Sequence, residues 1–202
     1  MDALTLLKKD HKTVEALFKQ FEQLGDRAVK ARKKIVEKII LELSIHVAVE
    51  ETVFYPAIRA TAKKVDADEA DDEILEALEE HHIVKWTLSE LEKMSGDDER
   101  FEAKVTVLIE SVRHHVKEEE QDLFKSVRKL FAPEELKALG QAMEKAKKLA
   151  PTHPHPRAPD QPPGNLVMGA VSAVLDRGMD AVKNAASRVR GKRGGQAEEA
   201  VH

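Results

Sequence analysis

Two stretches of this chain repeat one polar pattern inside helical apolar stripes, and that repetition leaves few folds open. His11 recurs as His81, His46 as His115 and Glu50 as Glu119, at offsets of 70, 69 and 69 residues. Each copy is a lone histidine followed by His-x-x-x-Glu. Residues four apart on a helix point the same way, so His46 and Glu50 reach one point and His115 and Glu119 another. The surrounding apolar residues recur every three or four positions, the period of an amphipathic helix, and no run alternates as a strand would.

Short polar breaks at Gly25-Asp26, Lys64 to Asp68 and Ser95-Gly96-Asp97 divide residues 1 to 132 into four helical segments. The pattern predicts helices over roughly 3 to 24, 28 to 60, 69 to 94 and 98 to 131. Short connections make consecutive helices antiparallel neighbours, so the expected fold is all-α, an up-and-down four-helix bundle over 1–132. Its inward stripes are Leu4, Leu7, Val14, Phe18 and Phe21; Val36, Ile39, Leu43, Val47 and Phe54; Ile74, Ala77, Val84, Leu88 and Leu91; and Phe101, Val105, Leu108, Val112, Leu123 and Val127. Pro133 stops the fourth helix, and 133–150 reads as a shorter fifth one whose Ala and Lys content promises helix but little core. Residues 151–164 are a linker with six prolines in fourteen positions, a composition that favours extended conformations. Residues 165–202 then read as an amphipathic helix to Arg190, basic in its second half, followed by a basic disordered tail.

Composition narrows the function classes. Cysteine is absent, which removes disulfides, thiolate metal sites and cysteine nucleophiles. The charged N-terminus is no signal peptide and no apolar run approaches a membrane span, so a cytoplasmic location is the expectation. Net charge is −4, but residues 1 to 132 carry 22 basic and 29 acidic side chains. That body is a poor nucleic-acid binder, whereas the basic helix at 165–190 suits a partner protein or a membrane surface.

The repeated histidines and glutamates point to metal. If the chain turns near residues 26 and 96, the lone histidine lies about 15 residues before each turn and the second one about 20 after it. At roughly 1.5 Å per residue, all four helices present these groups at a similar level. Six polar groups inside apolar stripes need a shared partner, because an unpaired buried carboxylate costs several kcal/mol. One or two divalent cations supply it, and imidazole with carboxylate suits iron, manganese or zinc. The expected ligands are His11, His46, Glu50, His81, His115 and Glu119. His115 and Glu119 lie on the apolar track, whereas His114 and His82 fall on the flanks. Asp10, Glu51, Glu80 and Glu120 read as a charged solvated face, with the orientation of ligand imidazoles as the other reading. Tyr55, nine residues after His46, falls about 180° away around the helix and Trp86 is off the track too, so neither is expected to meet the metal. His153 and His155 read as ordinary linker residues.

The segments KKDHKTV, IHVAVEETVFYP, EEHHIVK and HHVKEEEQDLF, spread over residues 3 to 131, resemble the hemerythrin-like, or HHE cation-binding, domains. The Pro-His-Pro linker and last helix add a looser similarity to actinobacterial members. The resemblance implies a non-haem centre of two iron ions, with the four histidines as terminal ligands and Glu50 and Glu119 as bridging carboxylates. It further implies binding or turnover of a small oxidant such as O₂, hydrogen peroxide or nitric oxide. An enzyme of this kind would be catalase-like or peroxidase-like; the alternative is a non-enzymatic oxygen or iron sensor or carrier that signals through its C-terminal helix. One departure matters: oxygen carriers use five histidines with one Glu and one Asp. This chain offers four and two Glu, with Ala77 one turn before His81.

Overall fold

A computed structural model gives the structure, and the described residues are 1–25, 28–65, 67–159 and Asp176. The helix expected over 165–190 and the tail beyond it therefore lie outside the described residues, Asp176 apart. The helices are α1 (Ala3–Glu22), α2 (Val29–Val49), α3 (Tyr55–Ala62), α4 (Asp68–Lys93), α5 (Phe101–Glu118), α6 (Phe124–Leu130) and α7 (Pro133–Lys147). Asp2 caps α1 by accepting a hydrogen bond from the Thr5 amide at 2.8 Å. Pro133 opens α7, where its missing N–H costs nothing.

Helix α1 packs on α2 and α4 on α5, closing a four-helix bundle. Every stripe residue named above is buried, as the period of 3.6 requires. The core is nonetheless not continuous. One apolar cluster holds Leu4, Leu7, Phe54, Ile58, Ile74 and Phe124. A second holds Val14, Phe18, Ile39, Leu88, Leu108 and Val112. In sequence the repeated histidines and glutamates fall between the two sets, so a polar layer cuts the core in half.

Two features depart from the expected four unbroken helices. A π turn, Glu50–Phe54, joins α2 to α3, and another, Glu119–Leu123, joins α5 to α6. Tyr55 N–H bonds to Glu50 O and Phe124 N–H to Glu119 O, the five-residue step that defines such a turn. Both begin at the repeated glutamate. The second departure is α7, which contributes more core than its composition suggested. Met143 is fully buried and Leu136 nearly so, joining the cluster of Leu4 and Phe54. Gly140 permits this: a Cβ there would stand 2.5 Å from Met1 O and 2.8 Å from Ala3 N.

Because that contact is with backbone, Gly140→Ala should push α7 off the start of α1 despite the better helix propensity of alanine. The expected cost is roughly 1–3 kcal/mol, seen as a lower midpoint in urea unfolding. Gln141→Ala, on the exposed side of α7, should leave the midpoint unchanged.

Candidate metal centre

Six side chains from α1, α2, α4, α5 and the two π turns converge in the layer between the apolar clusters. His11, His46, Glu50, His81, His115 and Glu119 are each at most 6 % exposed. They form two groups that share Glu50: His11 and His46 with Glu50, and His81 and His115 with Glu50, with ligand atoms in each group within 4.8 Å of one another. Glu50 Oε2 lies 3.2 Å from His46 Nε2 and 3.3 Å from His81 Nε2. Glu119 Oε2 lies 3.2 Å from His11 Nε2. The inner nitrogens of His81 and His115 face each other at 3.2 Å.

A ring of four carboxylates surrounds this layer, and it replaces the charged solvated face expected for them. Glu120 Oε1 lies 2.8 Å from His11 Nδ1, Glu80 Oε2 lies 2.8 Å from His115 Nδ1, and Glu51 Oε1 lies 3.3 Å from His81 Nδ1. Asp10 Oδ2 stands 3.7 Å from His46 Nδ1. Each carboxylate comes from the helix before that of its histidine, so the chain of contacts closes around the bundle. With Nδ1–H turned outward, the lone pair on Nε2 faces inward, the tautomer a metal ligand needs. Lysines anchor three members: Lys85 holds Glu51 at 2.9 Å, Lys147 of α7 holds Asp10, and Lys8 is 3.5 Å from Glu120. The solvated reading failed because helix periodicity places a residue on one helix and says nothing of the neighbouring helix that covers it.

Tyr55 also differs from expectation. It is 1 % exposed, and its hydroxyl lies 3.5 Å from both His81 Nε2 and Glu119 Oε1. A π turn absorbs about one extra residue, which rotates the next stretch of helix by about 100° and brings Tyr55 round to the centre. The sequence signal that could have found this is the aromatic five residues after each repeated glutamate, Tyr55 in one half and Phe124 in the other. Phe124 stacks on His11 at 6.3 Å between ring centroids.

The electrostatics show what the layer lacks. Burial, with the Glu119 charge beside it, pushes the Glu50 carboxyl well above its ordinary range. Burial raises Glu119 as well, but the His11, His115 and His46 rings outweigh it and hold that carboxyl low. Burial drives His81 well below the usual imidazole value, helped by His115 and His46, so its ring is neutral at pH 7. The Tyr55 phenol is raised by burial and by both glutamates, and keeps its proton. His11 Nε2, His46 Nε2, both Glu50 oxygens and Glu119 Oε2 are buried without a hydrogen-bond partner. Buried polar atoms left in this way are costly, and imidazole nitrogens with carboxylate oxygens around one space fit divalent cations.

The remaining candidates sit elsewhere. His82 is exposed and Trp86 is 47 % exposed. The exposed His114 lies 3.2 Å from Glu118 and 3.8 Å from Glu80. His153 pairs with Glu92, and His155 lies 3.1 Å from Asp176 Oδ2. No described helix is long and apolar enough to cross a membrane.

Comparison with known proteins agrees with this architecture. A fission-yeast protein described as hemerythrin-like, from Schizosaccharomyces pombe, is 29% identical over 169 residues, 84% of this chain and 80% of that protein. A DNA nickase from a Nostoc species is 29% identical over 138 residues; the match takes in 67% of this chain but 36% of that protein. The crystal structure of a hemerythrin HHE cation binding domain-containing protein from Mycobacterium kansasii superposes with a TM-score of 0.61 and 23% identity, covering 73% of this chain and 86% of that one. The family model of the hemerythrin HHE cation binding domain matches residues 2–127. This chain belongs to the hemerythrin HHE cation binding domain family.

Proposed function

We propose that this chain is a non-haem di-iron protein that binds or turns over a small oxidant: O₂, hydrogen peroxide or nitric oxide. The observation that carries the reading is the set of buried nitrogen and oxygen atoms without hydrogen-bond partners that lie together between two apolar clusters. His11 and His46 would hold one ion and His81 and His115 the other, with Glu50 reaching both groups and Glu119 as the second carboxylate. Bound there, two irons supply the exchange of two electrons with O₂ or peroxide. The chain itself supplies imidazole nitrogens, charge-balancing carboxylates and, at Tyr55 Oη, a proton held beside His81 and Glu119. Two clefts border the centre. One of about 590 Å³ reaches His11 and one of about 250 Å³ reaches His115 and Glu119. Ligands this buried suit small molecules, and an acidic body is a poor match for the nucleic-acid substrate of the Nostoc relative.

A second reading is a sensor or carrier without turnover, signalling to a partner protein or membrane surface through residues 165–190. The contact of Lys147 with Asp10, the carboxylate beside His46, favours it, since it ties α7 to the layer.

Anaerobic loading of the full chain with ferrous iron should give two irons per chain by elemental analysis, and His46→Ala and His115→Ala should each lower the content. A parent below one iron per chain would overturn the proposal. Tyr55→Phe should keep the parent's iron content while peroxide consumption falls by about tenfold or more, the scale of a lost proton donor. Parent turnover no faster than free iron would leave the carrier or sensor reading. Glu50→Gln separates fold from function. The folded pKa of Glu50 lies above its ordinary 4.5, so its contribution is present below that pH and is lost as pH rises through the folded value. Glutamine removes this loss. At pH 7 the metal-free variant should melt higher than the parent by ~3–6 °C, or about 1–2 kcal/mol, with the gain vanishing near pH 4. The same variant should bind iron more weakly.

A further inference from the structure

The start of the Pro-rich stretch stays against the bundle, where it helps to enclose a pocket of about 260 Å³ beside α2, α4 and α7. The walls are largely apolar, with Val47 of α2, Val53 of the first π turn, Ala146 of α7 and Pro151, Pro154 and Pro159 of the linker. Two oppositely charged lining residues, Lys85 and Glu51, bond to each other at 2.9 Å. Glu51 is also the carboxylate beside His81 Nδ1. Asp176 returns to this wall from further along the chain. It is 0 % exposed, and its Oδ2 accepts hydrogen bonds from the amides of Thr152 at 3.0 Å and His153 at 3.1 Å, with His155 Nε2 3.1 Å away. His153 and His155 are themselves part of the pocket lining. A carboxylate so deeply buried needs donors of this kind, and the metal centre makes no use of it.

We propose that residues 166–175 of this same chain dock in the apolar pocket, with Asp176 as their anchor. Those ten residues, Leu-Val-Met-Gly-Ala-Val-Ser-Ala-Val-Leu, contain no charged side chain. The path that carries them is tied to the pocket at both ends. It leaves from Pro159, which lies in the wall, and it returns at Asp176, which is bonded to the amide of the wall residue His153. An uncharged run held by its ends beside an apolar wall leaves water by packing on it. The Lys85–Glu51 pair lets an uncharged run approach, because each charge already has an opposite one beside it. A second copy or a lipid chain would suit the same wall, but neither gives a reason for Asp176 to be held there. Since Glu51 belongs to the wall, the docked run lies against the carboxylate beside one of the inner imidazoles.

The chain has no cysteine, so introduced pairs can be cross-linked without background. Thr52→Cys, in the pocket wall, is combined in turn with Val167→Cys, Val171→Cys and Val174→Cys in the full chain, and each pair is treated with a short bis-maleimide. At least one pair should link within a single chain, as read by peptide mass spectrometry. Its yield should exceed by roughly tenfold or more that of the same partner combined with Val107→Cys, an exposed position of α5. Amide exchange over 166–175 should speed up by about tenfold or more in Asp176→Ala, the scale of a lost charge-assisted hydrogen bond, while exchange in α1 and α5 stays at the parent rate. Equal yields with Thr52→Cys and Val107→Cys would overturn the docking. Links formed only between chains would overturn it in favour of a second copy, and protection of 166–175 that appears only with added phosphatidylcholine vesicles would do so in favour of a membrane. Unchanged exchange in Asp176→Ala would overturn the anchor.

Discussion

The structure depends on one compensation: four imidazoles and two carboxylates are buried together in one layer of the core. Two apolar clusters press on that layer from either side. With Glu50 and Glu119 adjacent, full ionisation of both is opposed by their mutual repulsion and by burial. Cations held between them would reverse the sign of the problem, turning the same groups from a cost into a set of bonds. A layer of this kind gives up stability in the metal-free protein in exchange for a pre-formed site, so that metal bound there would contribute directly to folding.

Precision comes from the surrounding ring. Each helix lends a carboxylate to the histidine of the next, so no ligand ring is oriented by its own helix alone. Lys85, Lys147 and Lys8 fix three of those carboxylates in turn. Helix α7 takes part through Lys147 as well as through the Gly140 contact with the start of α1. It covers one face of the bundle and leaves its counterpart open.

The bundle, its stripes and the convergence of six polar residues were legible because they rest on periodicities of 3.6 and on a repeat about 70 residues long. Those signals are local or self-referential, so one sequence suffices to read them. The features that were not legible depended on neighbours in space. Asp10, Glu51, Glu80 and Glu120 read as solvent-facing charges or as partners of ligand imidazoles, and only the adjacent helix decides between the two. Tyr55 was misplaced because a regular helix was counted through residues 50 to 54, where the backbone takes a wider turn. Fifth-helix burial was missed because a glycine and a methionine count for little in any hydrophobic pattern, yet Gly140 allows the approach and Met143 fills the space beneath it.

The wide turns have one further result. By bringing the residue five places after each glutamate to the centre, they set Tyr55 against His81 and Phe124 against His11. A repeat that matches in its histidines and glutamates is thus unmatched by a single oxygen atom. A diatomic guest lying between the two halves would find a hydrogen-bond donor at one end and a hydrocarbon ring at the other. The duplicated site therefore has a direction, and its two ends are not interchangeable.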